Sequence, residues 1–362
     1  MAAYTAQAAA EGIFDLDPME IFWRDLQPYL LSKGYKLRPK YAPGWTPPWV
    51  GTDIYPHLFE ETIINPLPWV VDAQREEDGM IVAIKWAPAM AHTRNEVDVL
   101  QFVSTPDMLA DPRNHCNPLL DSFPNPNDPN GVLIVTPWLF DFYSLPIFYV
   151  NELVDFMLQL FEGVAFLHEH RVAHRDCTHA NVMQDVRSAF PRLQPHPLSM
   201  SYARDGTTLV DPLDRCVCHP PIRYYLIDFG ISSRFDGDGP YRVTGTIGRD
   251  PTAPELSDTV PYDPFKLDVY MVGNFFLQRY VRKYSNLEFL RPLLLRMTRQ
   301  IPERRPNMEQ ALRALQKAAR RPRGVAYRWR LREREEPFPN ALVRDICALF
   351  REAYFQATHE IL

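Results

Sequence analysis

The sequence predicts an α+β fold, strand-rich in its first part and mainly helical after residue 150. Two observations carry this. "PWVVDAQ" and "MIVAIKWAP" flank the turn "REEDG", which is a hairpin signal. From 151, "NELVDFMLQLFEGVAFLHEH" places Leu153, Phe156, Met157, Leu160, Val164 and Leu167 on one stripe at helical spacing. A chain of 362 residues is long enough for one large domain or two lobes around a cleft, and its 46% apolar content supplies a sizeable core.

In chain order, residues 1–15 read as unstructured. Asp17 then offers an N-cap with Pro18 at the first helical position; Ile21, Phe22, Leu26 and Leu30 recur at helical spacing, and Gly34 lies near the end. Residues 38–58, "RPKYAPGWTPPWVGTDIYPHL", are rich in Pro and Trp and are expected to wrap a surface. The strand region spans 63–87, a helix is expected around 92–103, and a Pro/Asn-rich loop runs to 130. "GVLIVTPWL" reads as a buried strand. After the long helix come an irregular segment at 182–223 and helix candidates at 266–280, 287–298 and 307–319. The terminal "NALVRDICALFREAYFQATHEIL" is amphipathic, with Leu342, Ile346, Leu349 and Phe350 on one side.

A net charge of −6 implies no acidic polymer as partner for the whole chain. With 35 Pro against 15 Gly, stiff connections are expected over flexible linkers. The cysteines, Cys116, Cys177, Cys216, Cys218 and Cys347, are few and odd in number, which does not fit a disulfide framework. No basic stretch precedes the small-residue run at the N-terminus and no long uncharged apolar block follows. Neither a signal peptide nor a membrane span is therefore expected, and the expected location is cytoplasmic, with the nucleus as the alternative. The basic run "KAARRPRGVAYRWRLRER" fits a nuclear-import or nucleic-acid signal; a solvated helix end joined to a partly paired strand is the preferred reading.

"HRDCTHAN" at 174–181 sets a carboxylate, Asp176, and a carboxamide, Asn181, in one short loop after the long helix. In-line phosphoryl transfer needs a carboxylate near the attacking hydroxyl and a ligand for Mg²⁺. The sequence also contains "VAIK" (Val82 to Lys85) on a predicted strand, "DFG" (Asp228, Phe229, Gly230) after a strand-like run, and "APE" (Ala253, Pro254, Glu255), in that order. Together these make the chain resemble a eukaryotic protein kinase from about 63 to about 318. "KLDVYMVGN", with Asp268, and "PERRPNMEQAL", with Arg305, resemble two further landmarks of that family. "VAHRDC", "RPKYAPGW" and "PYDPFKLDVY" are similar in style to kinase-like proteins of mushroom-forming fungi.

The resemblance implies a bilobal fold: an N-terminal extension (1–62), a β-rich N-lobe (63–139), a helical C-lobe (140–318) with an insert at 186–222, and a C-terminal basic segment and helix (319–362). It implies ATP and Mg²⁺ as cofactors. Lys85 would hold the α- and β-phosphates, with Glu96 as its helix partner. Asp176 would orient the acceptor hydroxyl, and Asn181 and Asp228 would hold the metal. Thr136 would guard the back of the adenine pocket, Pro137, Trp138 and Leu139 would form the hinge, and Val70 and Ala83 would contact the nucleotide. Asp268 would pin the catalytic-loop backbone, and Arg305 would pair with Glu255.

Three departures stand out. The segment aligned with a phosphate-covering glycine loop reads "IINPLPWV", where Pro66 and Pro68 lack N–H donors. Thr178 stands where serine/threonine kinases carry a lysine, leaving His179 as the loop's remaining candidate cation. The long step from Asn181 to Asp228 contains "DRCVCHPP", a weak zinc pattern from Cys216, Cys218 and His219 with Cys177 or His179. The intact Arg175 suggests that phosphorylation at Ser232, Thr244 or Thr246 orders the following segment. The expectation is a protein kinase acting on a protein hydroxyl, Ser/Thr foremost; the alternative is a pseudokinase acting as a binding or scaffolding module.

Overall fold

The computed structural model describes residues 1–88, 91–215, 218, 220–320 and 324–358. It is a mixed α+β chain that divides into two compact units. The first comprises Met1–Ser104, Asn117–Phe140 and Gln184–Ile222; the second comprises Thr105–Cys116, Asp141–Met183 and Arg223–Leu362.

The first unit is built on an antiparallel five-stranded sheet of order β1-β2-β3-β5-β4, with β1 Tyr35–Leu37, β2 Val70–Arg75, β3 Ile81–Ala87, β4 Asp121–Asn125 and β5 Asp128–Pro137. The β2–β3 pair is the hairpin around "REEDG". Strand alternation sends Val82 and Ile84 of β3 to one face, where they join Val71, Ala73, Leu133 and Val135 in the core. Helix α2 (Pro18–Ser32) covers that face with Trp23, Leu26 and Leu30, and β1 extends the sheet edge beside β2. The α2 start is a capping box: Asp17 accepts from the Glu20 N–H at 2.9 Å, and Glu20 accepts from the Asp17 N–H at 3.1 Å.

Several details differ from the sequence reading. Residues 2–10, read as unstructured, form helix α1 (Ala2–Ala10). Its Ala-rich composition favours helix, Ala8 is buried, and Thr5 Oγ1 accepts the Gly51 N–H at 3.2 Å. Ile21 is exposed, and Trp23 takes the core position instead. The span read as loop up to 130 contains strand β4. Its Pro124 is tolerated because β4 is an edge strand, and the Pro124 carbonyl accepts the Tyr29 hydroxyl at 3.0 Å. The insert packs through short strands at Pro195–His196 and Ser199–Ala203. Gly206, at φ +71°, lies so close to Glu60 that a Cβ there would sit 2.7 Å from the Glu60 Cα.

The second unit is organised by helix α5 (Val150–Glu169). Its stripe is fully buried, as are Phe276 of α6 (Pro264–Phe276), Leu294 and Met297 of α7 (Arg291–Met297) and Leu315 of α8 (Met308–Ala319). A short helix, α4 (Pro106–Ala110), belongs to this unit as well. Helix α9 (Phe338–Thr358) carries the terminal amphipathic sequence, but Leu342, Ile346, Leu349 and Phe350 are exposed. Ionic contacts fasten it instead. Arg330, nearly buried, donates to Asp345 at 2.6 Å and Glu336 at 2.7 Å, and Arg328 Nε donates to Glu352 at 2.9 Å. Arg328, Arg330 and Arg334 of the basic run are thus ion-paired within the chain; its residues 321–323 lie outside the described residues. Among the described residues, no helix is long and apolar enough to cross a membrane.

Candidate active site

In the first unit, sheet register gathers most of the proposed nucleotide residues on the face opposite the core. Val70 pairs with Lys85 across β2–β3, and Ala83 pairs with Thr136 across β3–β5. Period-two alternation puts these side chains together. Pro137 lies opposite Val82, the Trp138 N–H bonds the Ile81 carbonyl at 3.0 Å, and the half-buried Leu139 follows. Helix α3 (Ala91–Val103) presents Glu96, buried, to Lys85: Nζ lies 2.7 Å from Oε1 and 2.9 Å from Oε2. The acid fixes the ammonium at one place on this face.

The segment 63–70 is built as a closed turn. Asn65 Oδ1 accepts the Leu67 N–H at 3.0 Å, Asn65 Nδ2 donates to the Val70 carbonyl at 2.7 Å, and the Val70 N–H goes to the Leu67 carbonyl at 3.2 Å. Trp23 Nε1 takes the Pro68 carbonyl at 3.1 Å. Positions 66, 67, 68 and 70 thus hold no N–H for a phosphate. Sequence reasoning missed Asn65; an Asn one residue before Pro was the available signal.

In the second unit, the loop after α5 is held by Asp268 of α6. This fully buried carboxylate accepts the His174 N–H at 2.8 Å, the Arg175 N–H at 2.6 Å and the His168 Nε2–H at 2.9 Å. His174 accepts the Asp176 N–H at Nδ1 (3.3 Å) and donates from Nε2 to the Ile227 carbonyl (3.0 Å), an arrangement satisfied by the neutral ring. Phe229 packs on that ring at 5.0 Å between centroids. Arg175 and Asp228 adopt left-handed φ of 68° and 62°, conformations that non-glycine residues hold only when the surroundings fix them.

Asp176 has both carboxylate oxygens engaged. Oδ2 accepts Asn181 Nδ2 at 2.8 Å, and Oδ1 accepts the Arg249 N–H at 2.9 Å. Donation from Nδ2 turns the carboxamide so that the Asn181 Oδ1 points away from Asp176. The Ile227 N–H bonds the Asn181 carbonyl at 3.1 Å, which brings Asp228 beside Asn181 in the backbone pairing. A carboxamide oxygen and a carboxylate are hard oxygen donors, the chemistry that suits Mg²⁺. The residues fit the ion: Asn181 Oδ1 and Asp228 would hold it, and it would neutralise phosphate charge.

The cation question at Thr178 is redrawn. Among the described residues, the buried Thr178 hydroxyl has no hydrogen-bond partner. His179, read as the remaining candidate cation, is pushed below its usual pKa by partial burial, then by Arg279 and Arg249, which disfavours its charged form. Arg279 Nη2 lies 3.3 Å from His179 Nε2. These two arginines, distant in sequence from the loop, were not legible from it.

Both terminal nitrogens of Arg175 are already engaged within the fold. Its guanidinium donates to the carbonyls of Ile231 (3.2 Å) and Thr244 (2.9 Å), and to Ser233 Oγ (3.3 Å) and the Tyr262 hydroxyl (3.4 Å). Of the three hydroxyls read as phosphorylation sites, Ser232 is buried and donates to the His174 carbonyl at 3.0 Å. Thr246 donates to Asp258 at 3.1 Å, where a phosphate would meet like charge; Thr244 is exposed. Arg305, its side chain wholly buried, forms a two-pronged pair with Glu255, one contact at 2.8 Å, and stacks on Tyr270 at 4.8 Å.

Of the weak zinc pattern, Cys216 and His219 lie outside the described residues. Cys177 is fully buried; burial first, then the Asp268 and Asp176 carboxylates, push its thiol well above the usual range. A zinc ligand must be a thiolate. Among the described residues, no three His, Cys, Asp or Glu side chains gather as a metal cluster. In comparison with known proteins, the chain matches no family model and no curated protein.

Proposed function

We propose that the chain is an ATP- and Mg²⁺-dependent protein kinase of bilobal kinase-like fold, transferring the γ-phosphate to a protein hydroxyl, Ser/Thr foremost. The observation that carries this reading is the Asp176–Asn181 arrangement. One amide nitrogen orients the carboxylate that would receive the hydroxyl proton, and the amide oxygen remains for a cation beside Asp228. Lys85, fixed by Glu96, would supply positive charge to the α- and β-phosphates. Mg²⁺ bound at Asn181 and Asp228 would neutralise charge on the β- and γ-phosphates.

A second reading, a pseudokinase that binds a partner or nucleotide, draws on one specific observation. In the 63–70 segment Pro66 and Pro68 carry no N–H and the Leu67 and Val70 N–H groups bond within the segment, so nucleotide affinity from that side is reduced. Titration with ATP, with and without Mg²⁺, separates the readings. The kinase reading expects Mg²⁺-dependent binding that Lys85→Met and Asp228→Asn each weaken by about tenfold or more. Binding insensitive to Mg²⁺ and to both substitutions contradicts it.

A further inference from the structure

Arg249 and Arg279 are exposed cations at the loop that carries the proposed catalytic carboxylate: the Arg249 N–H bonds Asp176, and the Arg279 side chain contacts His179. The backbone of Arg249 is pinned from two sides. Its N–H donates to Asp176 Oδ1 at 2.9 Å, while the next residue, Asp250, accepts Asn274 Nδ2 at 2.8 Å. Two residues on, the Thr252 carbonyl accepts the Tyr270 hydroxyl at 2.9 Å. The Arg249 backbone is therefore held against the Asp176 carboxylate, and its exposed side chain starts from there. Arg279 sits in a π-helical turn, Leu277–Val281, that follows α6; such turns recur at functional sites. Its contacts are His179 Nε2 and the Tyr143 ring, at 5.6 Å, and neither carries negative charge.

Charge balance sets this pair apart from the ion-paired arginines of the same unit. Arg305, Arg328, Arg330 and Arg334 are each matched with a carboxylate. The guanidinium groups of Arg249 and Arg279 have none among the described residues. The nearby acids are committed elsewhere: Asp176 to Asn181 and the Arg249 N–H, Asp250 to Asn274 and Thr252, and Asp258 to Thr246. An incoming polypeptide meets two guanidinium groups that form no ion pair among the described residues, at the loop that carries Asp176. A basic neighbour would be repelled and an anionic one attracted.

We propose that Arg249 and Arg279 select the acceptor: the phosphorylated hydroxyl lies in a segment carrying an anion, a carboxylate or an earlier phosphate, within a few residues. This rests on the kinase reading of Asp176. The test uses the full chain and three matched Ser/Thr peptides whose flanks are Gln, Asp or phosphoserine. Their binding is measured by fluorescence anisotropy on Asp176→Asn, and kcat/KM is measured on the unaltered chain. The anionic peptides are preferred by about tenfold over the Gln peptide, and the preference weakens with salt. Arg249→Gln and Arg279→Gln each lower that ratio by about threefold, while the Lys variants keep most of it. The Asp and phosphoserine arms tell the two anion sources apart. Equal use of all three peptides overturns the proposal and leaves the kinase reading standing. So does an equal loss on all peptides in the Gln variants, which would place the arginines on the transferring phosphate. No transfer to any peptide, with arginine-dependent binding of the anionic ones intact, keeps the recognition pair and removes the kinase reading.

Discussion

Asn181 Nδ2 lies 2.8 Å from Oδ2 of Asp176 and 3.0 Å from the carbonyl oxygen of the same residue. One side chain thus fixes the rotamer of the carboxylate and the path of its backbone. Asn181→Ala removes both bonds and the oxygen offered to the cation. Phosphate transfer is expected to fall by about 10²-fold or more, with the thermal midpoint moving only a few degrees. Steady-state transfer assays check this, and an unchanged rate would show that the contact has no catalytic role.

The Arg305–Glu255 pair is buried on both sides and hydrogen-bonded on both prongs. Removing one partner leaves the other charge uncompensated. Arg305→Ala is expected to destabilise the chain by about 3–5 kcal/mol in urea unfolding, and Arg305→Lys to recover little, because a point charge cannot replace the planar fork. A loss below about 1 kcal/mol would contradict the burial argument.

Glu60 lies between His196 Nε2, at 2.9 Å, and Arg38 Nη1, at 3.0 Å. Burial alone would raise its pKa; the His196 hydrogen bond and the Arg38 guanidinium outweigh burial and hold it below the usual carboxylate value. A folded-state pKa below the unfolded one adds stability above the unfolded pKa and loses it as the pH falls through the folded pKa. Stability is therefore expected to drop below about pH 4.5, the ordinary Glu range, and His196→Ala to flatten that drop. Urea midpoints between pH 3 and 7 measure it; an identical acid limb in wild type and variant would refute the assignment.

Arg175 holds the segment after Asp228 without a phosphate. In unphosphorylated protein, Arg175→Ala is expected to raise amide exchange across Val243–Gly248 by about tenfold or more, since four anchoring contacts are lost. Equal protection in both proteins would mean that the 243–245 and 257–262 strand pairing alone orders the segment.

Cys116, Cys177 and Cys218 are buried and Cys347 is exposed. Burial pushes the Cys116 thiol up, and burial with two carboxylates does so for Cys177. Iodoacetamide at pH 8 is expected to label Cys347 in the native chain and to reach Cys116 and Cys177 only after unfolding. Native labelling of Cys177 would show an opening of the 174–181 loop.

What the sequence disclosed follows the range over which each signal acts. The α5 stripe and the β2–β3 hairpin were legible because periodicity and turn chemistry are local. Asp17 announced its helix for the same reason. Strand β4 was not, because Pro124 argues against a strand unless its edge position is known. The exposed face of α9 was not, because the helix is held by Arg328 and Arg330 and not by its apolar stripe. At the site, Lys85, Asp176, Asn181 and Asp228 stood out by motif. Arg249 and Arg279 did not, since their relation to Asp176 and His179 arises only when distant segments fold together.

The most direct measurement of the central claim is γ-phosphate transfer from Mg·ATP to protein acceptors by the unaltered chain and by Asp176→Asn. The account predicts transfer by the unaltered chain and a loss of about 10³-fold in the variant, with ATP affinity retained. No transfer by correctly folded wild-type protein across broad acceptor panels, or equal transfer by both proteins, would contradict it.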